Sequence, residues 1–273
     1  MLPFDLSNKL AVITGAGSGI GAALARSFAN RGTHLALVDV NANGLESTRQ
    51  SLQQNVRVSL HPMDVTDKGA VDGLPATVEA QHGAHADVLI NNAGVALEGN
   101  FDRVSEDDFD WVLDINLNAP IRLTRAFLPS LTARPDAQIV NISSVFGLIG
   151  PPGQTAYSTA KFGLRGFTEA LRHEMAGTNL RITQVHPGGV STNIANSARM
   201  TSELTEVEAQ KRLDHTNKLL KMPPDQAAEI IARGIEKGKP RILIGDDARK
   251  IDIIQRLMPA KYWNLIGKQL DGS

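Results

Sequence analysis

Thr14-Gly-Ala-Gly-Ser-Gly-Ile-Gly21 follows the apolar run Lys9-Leu-Ala-Val-Ile-Thr14 and opens a stretch of helical period over residues 19–31. Strand, glycine-rich turn and helix in that order are the entry to a dinucleotide-binding fold. Glycines let the backbone approach a pyrophosphate closely, and the helix start offers unpaired N–H groups and the positive end of its dipole. The spacing is not a strict G-x-G-x-x-G counted from the strand, because Ile20 stands where the third glycine would fall. It reads instead as T-G-x-x-x-G-x-G on Gly15, Gly19 and Gly21, with the uncharged Ser18 inside the turn. Taken alone, such a turn also serves simply to pack a helix on a strand.

Outward from this turn the same alternation repeats. Residues 34–39 (HLALVD) read as a second strand, followed by a helical stretch over about 43–54. Residues 56–61 and 87–91 continue the pattern with a helix between them, and 139–143, 181–186 and 241–244 add three more strands. Strands this apolar, separated by helices, predict a doubly wound, mostly parallel seven-stranded sheet covered on both faces. The whole chain, 1–273, reads as one such domain. Its ligands belong beyond the carboxyl ends of the strands.

Asp39 closes the second strand, 20 residues after Gly19. A carboxylate there meets the hydroxyls of an adenosine ribose and repels a 2′-phosphate, and neither Val40 nor Asn41 supplies a cation. The reading is NAD rather than NADP, with a turn or helix-capping aspartate as the alternative. Further on, Tyr157 and Lys161 stand at i and i+4, on one face of a helix. A free phenol, with pKa about 10, is a poor base at neutral pH. A neighbouring ammonium favours the phenolate and moves it toward the range of a general acid/base. Ser144, 13 residues before Tyr157 and just past a strand, has a hydroxyl suited to hold a substrate oxygen. Asn116 falls in a helical stretch, where its amide either orders a water beside Lys161 or simply bonds the helix backbone.

These motifs together make the chain resemble the short-chain dehydrogenase/reductase family, in its compact branch. The matching residues are Thr14-Gly-x-x-x-Gly-Ile-Gly21, Asp64-Val65, Asn91-Asn-Ala-Gly94, Asn116, Ser144, Tyr157-x-x-x-Lys161 and Pro187-Gly188 with Thr192, in the family's order over residues 9 to about 193. The resemblance implies a cofactor site on Gly15, Ser18, Gly19, Ile20, Gly21 and Asp39, with Asp64 and Val65 at the adenine. Asn91, Ala93 and Gly94 would lie along the ribose, Asn91 also stabilising the sheet. Lys161 would hold the nicotinamide ribose as well as tune Tyr157, and Pro187, Gly188, Val190 and Thr192 would fix the nicotinamide. It selects Ser144 rather than Ser143 as the catalytic serine. It also implies a homodimer or homotetramer, formed through the helices that carry Asn116 and Tyr157.

Composition bounds the rest. The chain has no cysteine, which removes disulfides, thiolate catalysis and zinc–thiolate sites. A formal net charge of −1 gives no electrostatic pull toward nucleic acid or anionic membranes. Seven scattered histidines show no metal-ligand spacing, so no metal is expected. The N-terminus has no secretory pattern and no apolar run reaches the roughly 20 residues of a membrane span, which makes the cytoplasm the expected location. Residues 191–222 are polar and helical in period, a candidate substrate lid. The tail, 246–273, is apolar enough to require cover, from its own domain, from a second subunit or, less in keeping with its charge pattern, from a membrane surface.

The functional expectation is an NAD-dependent dehydrogenase of secondary alcohols, or a ketone reductase, with Phe146, Leu148 and Ile149 beside the substrate. Three alternatives stand beside it: an NADP-dependent carbonyl reductase, a silent dinucleotide sensor, and an epimerase or dehydratase. Intact Ser144, Tyr157 and Lys161 weigh against the sensor, which needs no proton relay.

Overall fold

The computed structural model describes residues 3–52, 55–200, 214 and 217–270. The first half runs β1 (Leu10–Thr14), α1 (Gly19–Ala29), β2 (His34–Asp39), α2 (Ala42–Gln50), β3 (Val58–Pro62), α3 (Lys68–His82) and β4 (Val88–Asn91). A two-residue strand, β5 (Leu97–Glu98), precedes α4 (Glu106–Leu113), a π-helical turn (Asp114–Asn118) and α5 (Ala119–Thr132). Then come β6 (Ala137–Ile142), a 3-10 turn (Val145–Gly147), α6 (Thr155–Glu174) and β7 (Leu180–Pro187). The chain closes with β8 (Arg199–Met200), α7 (Pro224–Glu236), β9 (Arg241–Ile244), α8 (Asp246–Leu257) and α9 (Tyr262–Leu270).

The main sheet has seven strands in the order β3-β2-β1-β4-β6-β7-β9, and every pairing in it is parallel. The seven strands read from the alternation are these seven. The strand order reverses between β1 and β4, so a crevice opens at their carboxyl ends, where α/β sheets take ligands. On one face the sheet packs against Ala23, Leu24 and Phe28 of α1 and Ala228, Ile231 and Ala232 of α7. Val71 and Leu74 of α3 cover the other face with Leu123 and Phe127 of α5. Both faces being dry explains why the strand runs are continuously apolar rather than alternating.

Polar residues nonetheless cross the middle of the sheet. Asn91, Asn141, Gln184 and Arg241 are register partners across β4, β6, β7 and β9. The Asn91 amide donates to Asn141 Oδ1 at 2.8 Å, and the Asn141 amide donates to Thr168 Oγ1 on α6 at 2.9 Å.

The tail packs on its own domain. Ala248 and Ile251 of α8 and Ile266 of α9 form a cluster with Val145 and Ile149, joined by Phe146, Leu243 and Trp263. Arg241 fixes α8 to the last strand through a two-pronged pair with Asp252, at 2.8 and 2.6 Å. That hydrogen bonding, joined by Arg256, holds the Asp252 carboxyl down to about 2. Of the segment 191–222, residues 201–213, 215 and 216 lie outside the described residues, and with them most of the expected helix. Its two ends meet: Val190 pairs with Met222, and Ser191 N donates to the Met222 carbonyl at 2.8 Å.

Candidate active site

The crevice is built from strand ends. Thr14 and Asn92 stitch β1 to β4: Asn92 N and Ala93 N each donate to Thr14 Oγ1 at 3.0 Å, and the Asn92 amide donates to the Thr14 carbonyl at 2.9 Å. This closes the glycine turn tightly. A Cβ on Gly21 would lie 2.1 Å from the Gly15 carbonyl oxygen, so only glycine lets α1 start this close to β1. Gly15 and Gly19 adopt positive φ, 65° and 53°, the conformation that favours glycine. Ser18 caps α1 without a side-chain bond, which leaves the helix start to whatever enters the crevice. Ile20 packs against the core beneath the turn.

Asp39 sits at the turn. Its carboxylate accepts from Gly17 N and from Asn41 N, both at 2.9 Å. Across the crevice, a Cβ on Gly19 would lie 3.2 Å from Thr192, so the first turn and the loop after β7 face each other. Gly94 marks the other side, where a Cβ would lie 2.7 Å from Asn116 Oδ1 and 3.6 Å from Lys161 Nζ. An acidic end, an uncapped helix start and a lysine thus line one crevice, a cradle whose donor set fits a nicotinamide dinucleotide. Val65 is buried and Asp64 is exposed, its carboxylate accepting from Thr66. Pro187 ends β7, and Gly188 N donates to the Ile244 carbonyl at 2.9 Å.

Two asparagines differ from their simplest reading. The Asn91 side chain turns into the sheet, toward Asn141 and Thr124. Asn116 is fully buried in the π-helical turn. Its amide donates to the Val95 and Val112 carbonyls at 3.0 Å, and its oxygen accepts from Val95 N at 3.2 Å. Among the described residues Asn116 therefore clamps the loop after Gly94; the backbone-bonding reading is the one the geometry displays.

Ser144 and Tyr157 meet beside Lys161. Ser144 precedes the 3-10 turn and hydrogen-bonds Tyr157. Ser143 instead donates to the Lys161 carbonyl at 3.1 Å, which leaves Ser144 as the hydroxyl at the phenol. Lys161 Nζ lies 5.5 Å from the Tyr157 ring centre and donates to the Ile142 carbonyl at 3.2 Å. Here the structure corrects the sequence reading of the pair. Burial pushes the Tyr157 phenol up to about 12, although the Ser144 hydrogen bond pulls the other way. Burial likewise pushes the Lys161 ammonium down to about 8. In the chain by itself, desolvation outweighs the attraction of a lysine whose ammonium is turned to a carbonyl.

A cavity of about 1340 Å³ opens at Ser144, Tyr157 and the turn 188–190. Phe146 lines it, as expected, whereas Leu148 and Ile149 are buried behind it. Sequence reasoning missed the tail: Asp247, Ile251, Ile254, Leu265 and Ile266 line the same cavity. Asp247 accepts from Gly189 N at 2.7 Å and presses so close to Gly188 that a Cβ there would lie 2.2 Å from its carboxylate. No local pattern announces this contact, though the unexplained apolar content of the tail is a signal.

His186 lies against the site, fully buried, with Nδ1 2.9 Å from the Ser144 carbonyl and Nε2 without a partner. Burial pushes it down to about 4, with Arg241 and Arg165 acting in the same direction and Asp252 opposing. His82, packed on Ser59 and near Arg57, His34 and His61, is also pushed by burial to about 4. Between pH 6.5 and 4 the unfolded chain therefore takes up protons that these two folded-state histidines refuse. Stability should fall with falling pH in that window, by about 1.4 kcal/mol per pH unit for each histidine. Urea midpoints at pH 7.5 and 5 check this, and His82→Gln with His186→Gln should flatten the difference.

A doubly wound sheet with this crevice and this Ser–Tyr–Lys cluster defines a dehydrogenase class. The short chain dehydrogenase pattern matches residues 9–203, and the chain belongs to that family. The SadH protein of Mycobacterium tuberculosis is 40% identical over 265 residues, covering 96% of this chain and 95% of its own. The 3-oxoacyl-[acyl-carrier-protein] reductase FabG of Thermotoga maritima is 32% identical over 227 residues, covering 83% and 89%. Among solved structures, a Burkholderia phymatum short-chain dehydrogenase/reductase in complex with NAD superposes with a TM-score of 0.86 at 27% identity, covering 94% and 95%. Among the described residues no helix is long and apolar enough to cross a membrane, and no group of three or more acidic or histidine side chains could hold a metal ion.

Proposed function

We propose that this oxidoreductase interconverts a secondary alcohol and a ketone with NAD, and that Tyr157 is its general acid/base. The observation that carries the reading is Ser144 and Tyr157 lining the cavity with the turn 188–190, and Lys161 buried behind Tyr157 beside Gly94. The bound nicotinamide supplies or accepts the hydride. Gly15, Ser18, Gly19, Ile20 and Gly21 would hold its pyrophosphate, Asp39 the adenosine ribose, and Asp64 and Val65 the adenine. The Asn91 backbone, Ala93 and Gly94 would pass along the ribose, Lys161 would bind the nicotinamide ribose, and Pro187, Gly188, Val190 and Thr192 would seat the ring.

The chain's own chemistry is proton transfer. Ser144 positions the substrate oxygen, and Tyr157 exchanges the proton at its phenolic oxygen. Burial alone holds the phenol protonated and above the range in which an acid/base works best, and the neighbouring Lys161 ammonium is the charge that would bring it down. Asn116 acts here as a positioning residue, holding Val95 and hence Gly94 against Lys161. A panel of secondary alcohols and ketones, read by NADH absorbance, tests the assignment; a panel without turnover in either direction would refute it. We further propose a cytoplasmic homo-oligomer joined through α4 to α6, on which Phe162 is 40% exposed. A monomer by light scattering would count against that assembly.

A further inference from the structure

The cavity is larger than a small alcohol requires, and one side of it is apolar. Its volume of about 1340 Å³ exceeds the roughly 300–1,000 Å³ common for small-molecule sites. From Tyr157 an apolar wall leads away through Phe146, whose ring meets the Tyr157 ring edge-on with centres 6.2 Å apart. Phe146 in turn packs on the tail cluster of Ile251, Ile254 and Ile266. The charged residues of the lining that belong to this region, Asp246, Asp247 and Lys250, are all exposed. Leu265 lines the cavity yet is 53% exposed, and Ile254 is only half-buried. Apolar surface left open inside a built cavity is surface that a ligand covers. Two anchors set the tail's position: Asp252 is paired to Arg241, and Asp247 is seated on Gly189.

We propose that α8 and α9 are the specificity-determining wall of the site, and that the substrate carries a long straight aliphatic chain lying on Ile251, Ile254 and Leu265. The proposal takes its reactive end from the dehydrogenase reading above. Trp263 belongs to the tail cluster, so its fluorescence reports occupation without any turnover. The experiment titrates 2-hexanone and 2-dodecanone against the Trp111→Phe background, which leaves Trp263 as the sole tryptophan, and measures kcat/KM for the same ketones. Each buried methylene contributes about three- to fourfold in affinity. The six extra methylenes, if all are buried, should tighten binding, and raise kcat/KM, on the order of 1,000-fold.

Ile254→Glu should bring the two ketones within about threefold of each other, a ratio that a general folding defect would not produce. If that variant fails to fold, Ile254→Phe fills the cavity with a larger apolar side chain and should shift the preference toward 2-hexanone. Equal binding of both ketones by the parent protein, or equal losses for both in the variants, would overturn the proposal. Length-dependent binding without turnover upholds it and removes the dehydrogenase reading; turnover without length dependence does the reverse.

Discussion

Replacing Tyr157 by Phe should lower kcat by a factor of about 10²–10⁴, the usual contribution of a positioned acid or base, and leave dinucleotide affinity within about twofold. The asymmetry follows from placement. The hydroxyl removed is the one hydrogen-bonded by Ser144 at the cavity mouth, whereas the ring keeps its edge-on contact with Phe146. The cradle of Gly15, Gly19 and Asp39 lies on other strand ends and loses nothing. Single-turnover kinetics alongside a fluorescence titration with NADH separate the two quantities. Undiminished kcat would remove Tyr157 from the mechanism, and lost NADH binding would show that the residue is structural.

The second large effect concerns Asp39. Two like charges about 4 Å apart repel by about 1 kcal/mol in water and about 4 kcal/mol in a half-buried site, a factor of roughly five to nearly a thousand. Asp39 is half-buried, and both its carboxylate oxygens already hold the turn through Gly17 and Asn41. Asp39→Ser should therefore raise kcat/KM with NADP on the order of 100-fold through lost repulsion. With NAD it should fall about tenfold, because the ribose partner and the turn's acceptor go together. A parent enzyme that prefers NADP would sink the assignment.

The strands were legible because a parallel sheet covered on both faces writes itself as uninterrupted apolar runs. The short pair β5 and β8 was not, since two residues carry no periodicity. The π-helical turn at Asp114–Asn118 was equally hidden: its residues read as ordinary helix, and the distortion shows only in the backbone, where Ala119 N donates to the Asp114 carbonyl five residues back. Within the site, Ser144, Tyr157 and Lys161 could be placed because strand ends and one helical turn fix their spacing. Asp247 and Ile254 could not, because their contacts with Gly189 and the cavity depend on where the tail crosses the sheet's end. The phenol's upward shift was unreadable for a related reason. Proximity along a helix is local, while desolvation is set by everything packed above it.

The amides buried across the sheet have a consequence for how the chain folds. Asn91 and Asn141 are 50 positions apart yet stand directly opposite, each oriented by the next partner in line. Sliding β6 by one residue would set an apolar side chain against Asn91 and strand both amides in a dry interior, at about 1–3 kcal/mol for each unpaired group. Neighbouring apolar residues, being interchangeable, impose no such penalty for misalignment. The asparagines thus act as a proofreading pair: they add little to the depth of the native basin but raise the energy of its closest misaligned competitors. A chain with both replaced by valine should remain stable yet refold more heterogeneously.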